Sequence, residues 1–241
     1  MTTKDDYDQW HRRYEVDRDA DTPWHRLVLA HLRPDRDLEG KRVLEVACGR
    51  GGFAAKLSRL SVAPPRLVAG DFSSAAVSKG KAFADQAALR GIHWEVVDAQ
   101  ALGHRDGAFD TVISCETIEH LPNPRAALAE FARVLTPGGR LLLTTPNYLG
   151  PMGLYRGYAR LMGRPYTEEG QPINNFMLLP LTVTWVRRAG LRIVAVDGRG
   201  HYALLPGQPP RPMPIFEKLP LFRWVALHSL VVGEKPVSMK R

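Results

Sequence analysis

The sequence predicts a doubly wound, Rossmann-like α/β fold. Three observations predict it. Short apolar runs alternate with helical patterns between residues 42 and 143, a glycine-rich turn follows the first run, and acidic residues stand at or just past the ends of the first three runs. Such alternation builds a parallel sheet with helices on its faces and places ligands at the carboxyl ends of the strands.

The elements follow in order. Strands are expected over residues 42–47, 66–70, 93–97, 110–114 and 140–144, each of ordinary strand length. Helices are expected over 52–60, 73–89 and 124–135. The last has Pro124 at its start, apolar Ala127, Leu128, Phe131 and Leu135 on one face, and Pro137-Gly138-Gly139 to end it. Beyond Thr145 the rhythm breaks. Residues 146–172 are rich in Gly, Pro, Tyr and Arg without a clean period, which suits an insertion over the sheet. A helix over 181–189, stopped by Gly190, then leads to a strand over 191–196. A proline-rich stretch, 198–220, precedes the apolar run 225–232, and the two final runs are expected to pair antiparallel at one edge.

A chain of 241 residues, 44% hydrophobic, can bury one large core, and one domain is expected. No run approaches the ~20 apolar residues of a membrane span, and the polar start, Met1 to Asp8, does not read as a signal, so a cytoplasmic protein is expected. Cys48 and Cys115 lack metal-type spacing and are read as reduced thiols, with no metal site. The net charge of +8 is scattered, with no Lys/Arg run longer than two, and gives little support to a nucleic-acid partner.

The segment Val43-Leu44-Glu45-Val46-Ala47-Cys48-Gly49-Arg50-Gly51-Gly52 puts a carboxylate near a strand end and glycines in the turn before a helix. Glycines let backbone approach a ligand, a helix start favours a carboxylate, and Glu45 attracts an ammonium, so the loop suits an amino-acid moiety. Alone it also fits a dinucleotide fingerprint, with Asp71 placed to hold a ribose. Four later segments discriminate between the two: Asp71-Phe72-Ser73, Val97-Asp98-Ala99, Cys115-Glu116-Thr117-Ile118-Glu119-His120, and Leu135-Thr136-Pro137-Gly138-Gly139-Arg140.

Together these closely resemble the class I methyltransferases that use S-adenosylmethionine, particularly the small-molecule branch of quinone biosynthesis, over residues 38–147. The resemblance implies a seven-stranded mixed sheet of order 3-2-1-4-5-7-6. It implies a single domain over 1–241: a helical cover (1–37), a donor-binding core (38–147) and acceptor-side lid insertions (148–180 and 198–222). It also implies that Glu45, Ala47, Gly49, Gly51 and the main chain at Cys115 line the methionine end of the donor, that Asp71 takes the ribose hydroxyls, and that Phe72, Asp98 and Ala99 meet the adenine. The family often has glycine where this chain has Ala47, and an alanine there calls for an ordinary backbone angle. The plainer alternatives are Asp71 as a helix cap, Asp98 as a turn residue and Phe72 as core.

Methyl transfer from a sulfonium is an in-line displacement in which positioning supplies roughly 7–11 kcal/mol. A base is needed only if the acceptor keeps its proton. His120 is the candidate, against a loop-shaping alternative, and it favours oxygen as the methylated atom. Nitrogen, carbon and sulfur stay open. For the acceptor, the candidates are Tyr14, Tyr148, Tyr155, Asn175, Phe176 and His201, with Tyr7, Trp10, His11, Trp24, Tyr158, Tyr166 and Asn174 also available. The rivals are weaker. An amino-directed nucleic-acid methyltransferase lacks its Asn/Asp-Pro-Pro-aromatic run, a nicotinamide-dependent reductase rests on the glycine loop alone, and a metal-dependent enzyme lacks an Asp after the fourth strand.

Overall fold

The structure is a computed structural model and describes residues 3–164, 170–203 and 210–237. Two helices precede the sheet: α1 (Thr3–Arg13) and α2 (Pro23–His31), whose first turn carries Pro23 and is capped by the Thr22 hydroxyl. A π-type turn, Pro34–Leu38, leads into the alternating core. The core comprises β1 (Arg42–Val46), α3 (Gly52–Ser58), β2 (Arg66–Asp71), α4 (Ser74–Gln86), β3 (Ile92–Val96), β4 (Phe109–Cys115), α5 (Pro124–Val134) and β5 (Leu135–Pro146). Then come α6 (Pro151–Leu161), α7 (Leu179–Arg188), β6 (Arg192–Arg199), the short pair β7 (Tyr202–Ala203) and β8 (Arg211–Pro212), and β9 (His228–Glu234).

The seven-stranded sheet runs β3-β2-β1-β4-β5-β9-β6, parallel up to β5 and antiparallel at β9. Because β7 and β8 pair apart from it, β9 is the seventh strand of this sheet in chain order, and the arrangement is the expected one. Two differences from the sequence reading are local. β5 begins at Leu135, directly after α5, and absorbs Pro137-Gly138-Gly139, with Gly138 at φ +81° and a register irregularity opposite 109–111. The insertion expected to be irregular contains α6. Leu154, Tyr158 and Leu161 stand at helical spacing, but Gly153 and Gly157 obscure the pattern and all three side chains are exposed.

Alternation along β5 feeds both faces of the sheet. Leu141 and Leu143 join Phe109, Leu128, Phe131 and Val186 on one side, while Leu142 joins Leu27, Val43, Phe53 and Ile113 on the other. The N-terminal cover is tied down by a buried ion pair between Asp37 and Arg140, and Asp37 also accepts from the Arg33 amide at 2.7 Å. One rim of the sheet collects the carboxyl ends of β1, β2, β3, β4 and β5. Because β9 runs the other way, its first residue, His228, opposite Pro146, arrives at the same rim.

No helix among the described residues is long and apolar enough to cross a membrane. Tyr166 lies outside the described residues.

Candidate functional site

A cavity of about 800 Å³ opens at that rim. Its floor is the loop after β1. Glu45, near the end of β1, is 3% exposed, and its Oε2 has no hydrogen-bond partner among the described residues. Burial first, then the neighbouring Asp71 charge, pushes its carboxyl up to about 8. Asp71, at the end of β2, accepts from the Gly49 amide and the Ser73 amide, both at 2.8 Å, and burial raises it to about 6. The α4 cap is Ser73, whose hydroxyl accepts from Ala76 N at 3.1 Å, so Asp71 stays directed at the loop and cavity.

The β1 loop is bent by three left-handed positions: Ala47 at φ +57°, Gly49 at +54° and Gly51 at +75°. The ordinary angle expected for Ala47 is therefore corrected. A left-handed alanine crowds its Cβ against a carbonyl at a cost of about 1–2 kcal/mol, held here by the loop on either side. Gly51 does not itself line the cavity, although its neighbours Arg50 and Gly52 do. On its other side a Cβ would run into the Trp94 ring, and a Cβ on Gly80 of α4 would run into the same ring. Trp94 thus fills a slot between loop and helix that only two glycines leave open.

Phe72, Asp98, Ala99 and Cys115 line the cavity, as do Ala47 and Gly49. Asp98 also accepts from the Gln100 amide at 2.8 Å, so its turn role and its place in the cavity coexist. Phe72 is half-buried at the cavity and is not a core residue. Burial holds both thiols, Cys48 and Cys115, well above the ordinary range, so they stay protonated. Among the described residues no group of three or more His, Cys, Asp and Glu is placed to hold a metal ion.

The roof is α1. Tyr7, Trp10 and His11 line the cavity. The Tyr7 hydroxyl donates to the His120 carbonyl at 3.1 Å, and Asp8 accepts from the Ser73 hydroxyl and the Ala75 amide. Arg50 stacks over Trp10 and Tyr14 and donates to the Glu15 carbonyl at 2.6 Å. His11 lies 3.9 Å from Asp71; burial, then Arg50, depresses its ring to about 4 and leaves it neutral.

His120 lines the cavity, with its Nδ1 at 2.7 Å from the Ile173 carbonyl and its Nε2 3.7 Å from Glu119. The carbonyl can only accept, so Nδ1 carries the hydrogen. The six acceptor candidates do not line the cavity. Tyr148 and Phe176 stack at 5.0 Å under Arg156, and Asn175 donates to the Leu121 carbonyl at 2.8 Å. His201 holds the Phe222 carbonyl at 3.0 Å, Tyr14 packs on Trp10 at 4.8 Å, and Tyr155 is half-buried on α6. All but Tyr155 are spent on fastening the cover or the irregular segments. From 148–180 only Gln171 among the described residues reaches the cavity, and from 198–222 none of them does.

The opposite wall consists of Thr22, Trp24, His25, Phe53, Glu116, Pro146, Leu227 and His228, of which the sequence reading offered only Trp24 as an acceptor residue. His25 stacks on Phe53 at 4.5 Å, and burial lowers it to about 4.

Residues 44–143 match the family model described as the methyltransferase domain. The chain carries a methyltransferase domain. The family and fold imply S-adenosylmethionine as cofactor, and the unpartnered Glu45 oxygen and the paired carboxylates fit a ligand bearing an ammonium and a ribose. Among its relatives, the methyltransferase is 29% identical over 172 residues to a ubiquinone biosynthesis O-methyltransferase of Xanthomonas euvesicatoria, with 70% of each chain covered. It is 26% identical over 178 residues to the enzyme of that name from Nitrosococcus oceani, with 73% of each covered. Similar folds include a putative methyltransferase solved with the Haloferax volcanii Trm112 activator, at TM-score 0.71, 19% identity and full coverage of both chains. A putative methyltransferase from Bacillus halodurans aligns at TM-score 0.65 and 19% identity, over 87% of this chain and 99% of that one.

Proposed function

We propose that the methyltransferase transfers a methyl group from S-adenosylmethionine to an oxygen of a small organic acceptor. The observation that carries this reading is the buried Glu45 carboxylate, its Oε2 without a partner, facing a cavity shared with Asp71. A buried acceptor atom left without a donor costs about 1–3 kcal/mol, and a bound ammonium removes that penalty. In this reading Glu45 holds the donor's ammonium and the amides around Gly49 its carboxylate. Asp71 accepts from the ribose hydroxyls, Phe72 covers the adenine face, and Asp98 and Ala99 meet its edge, with the Cys115 main chain beside the amino group. The bound donor supplies an activated methyl on a positively charged sulfur.

The acceptor occupies the wall formed by Trp24, His25 and Phe53, an apolar surface suited to a flat molecule. The names of the relatives support oxygen as the methylated atom. In this layout residues 1–37 form the cover, 38–147 the donor site, and the two later insertions brace the rim from outside.

The test is calorimetric titration with S-adenosylmethionine and S-adenosylhomocysteine, repeated on Asp71→Ala and with a nicotinamide dinucleotide as control. Saturable binding that collapses in the variant is expected. A preference for the nicotinamide sinks the reading. A screen of phenols, amines and thiols with 13C-methyl donor then locates the label, and a label on nitrogen, carbon or sulfur refutes the oxygen assignment.

A further inference from the structure

We propose that His228, oriented by Glu116, is the base that takes the acceptor's hydroxyl proton. The inference rests on the oxygen-methylation reading and adds to it a residue that does not stand out in the sequence, set as it is in a run of apolar strand residues.

The geometry of the pair carries the argument. His228 Nδ1 lies 3.4 Å from Glu116 Oε2, and both side chains are mostly buried, 13% and 15% exposed. A carboxylate only accepts, so the neutral imidazole carries its hydrogen on Nδ1 and presents Nε2 as a bare acceptor. Nε2 has no hydrogen-bond partner among the described residues, and His228 lines the cavity. The Trp24 ring lies 5.1 Å from the imidazole, so a flat acceptor resting on Trp24 has its edge within reach of that nitrogen.

The backbone on both sides of the pair is fixed. Glu116 sits at φ +45°, a left-handed angle that a non-glycine residue adopts at a cost, and its amide donates to the Thr144 carbonyl at 3.1 Å. His228 pairs with Pro146 on one side and Arg199 on the other, and the preceding Leu227 amide donates to the Gly200 carbonyl at 2.8 Å. Strain held at a cavity wall by flanking strands is where a functional group is expected.

His120 does not offer the same chemistry. Its Nδ1–H is committed to the Ile173 carbonyl, and its Nε2 looks toward the fully buried Glu119. The other imidazoles at the cavity, His11 and His25, are poor bases because burial holds them near 4.

In the step proposed, the acceptor O–H bond breaks and its proton moves to Nε2. The electron pair stays on the acceptor oxygen, which becomes the nucleophile. Nδ1–H remains on Glu116, whose charge stabilises the imidazolium, and the proton passes to solvent between turnovers. Glu116 is thus a positioning residue and His228 the catalytic one.

The test uses the full chain saturated with S-adenosylhomocysteine and 4-nitrocatechol as probe, whose absorbance distinguishes the phenol from the phenolate. At a pH about one unit below the dye's own midpoint, where free dye is about one-tenth ionised, the bound dye is expected to be mostly phenolate. In His228→Asn, which keeps an N–H toward Glu116, the ionised fraction of bound dye falls back to that of free dye. In Glu116→Gln it falls partway. Unchanged affinity for S-adenosylhomocysteine in both variants shows that the fold is intact. With an acceptor from the screen, His228→Asn lowers kcat about 10²–10⁴-fold with KM little changed.

Three results overturn the proposal: dye that does not bind the wild-type complex, bound dye equally ionised in His228→Asn, or ionisation lost in His120→Asn and kept in His228→Asn. Failure of S-adenosylhomocysteine to bind wild-type protein instead refutes the donor reading, and this proposal falls with it.

Discussion

Binding of S-adenosylhomocysteine is expected to release protons from the protein. In the free protein burial holds the Glu45 carboxyl at about 8 and Asp71 at about 6. Below pH 7.5 the α-amino group of the ligand, a free amino acid, is mostly cationic. An ammonium beside Glu45 favours the carboxylate, so Glu45 is largely protonated before binding and ionised after it. The apparent Kd then rises about tenfold for each pH unit below 8, which makes binding at pH 6.5 about tenfold weaker than at pH 7.5. About one proton leaves per ligand bound. The sign for stability is opposite. Glu45's folded value lies above its unfolded one, so between the ordinary carboxylate range and about 8 the folded state holds the extra proton, and unliganded stability falls as pH rises through that window.

The assay is titration calorimetry in phosphate and in Tris at both pH values, since the difference in buffer ionisation heat counts the protons. In Glu45→Gln the pH slope and most of the proton release vanish. A wild-type Kd flat between pH 6.5 and 7.5, with heats independent of buffer, refutes the reasoning.

Other outcomes rest on packing. Ala47→Gly relieves a left-handed alanine and is expected to raise stability by about 1 kcal/mol in urea unfolding. Gly80→Ala should destabilise by about 1–3 kcal/mol although alanine favours helix, because its Cβ runs into the Trp94 ring; adding Trp94→Leu should recover part of the loss. Asp37→Asn leaves Arg140 charged and buried without its counter-ion and should cost about 3–5 kcal/mol, more than the Asp37→Leu/Arg140→Met pair. Tyr7→Phe removes the bond from α1 to the His120 carbonyl, and should speed proteolysis within residues 3–20 while costing about 1 kcal/mol of stability.

The alternating core was legible because each strand is bounded by its own turn chemistry, so Glu45, Asp71, Asp98 and Cys115 could be placed at strand ends from order alone. The acceptor wall was not. Aromatic residues in irregular segments carry no period, and nothing in the sequence separates Trp24, which faces the cavity, from Tyr148, which stacks on Phe176. Gly51 had the right residue type for a reason on the opposite side of the loop. His228 did leave a signal: a final strand that pairs antiparallel must begin where the parallel strands end, so a polar residue at its first position belongs to the site rim.

The slot filled by Trp94 also bears on inheritance. Gly51, Gly80 and Trp94 come from a loop, a helix and a strand, yet one ring fixes what each position can hold. A lineage can drift to alanine at 80 only after 94 has become small, and a return to tryptophan is then closed. The three positions should therefore change together among descendants of this chain, as a single unit of descent beneath the β1 loop.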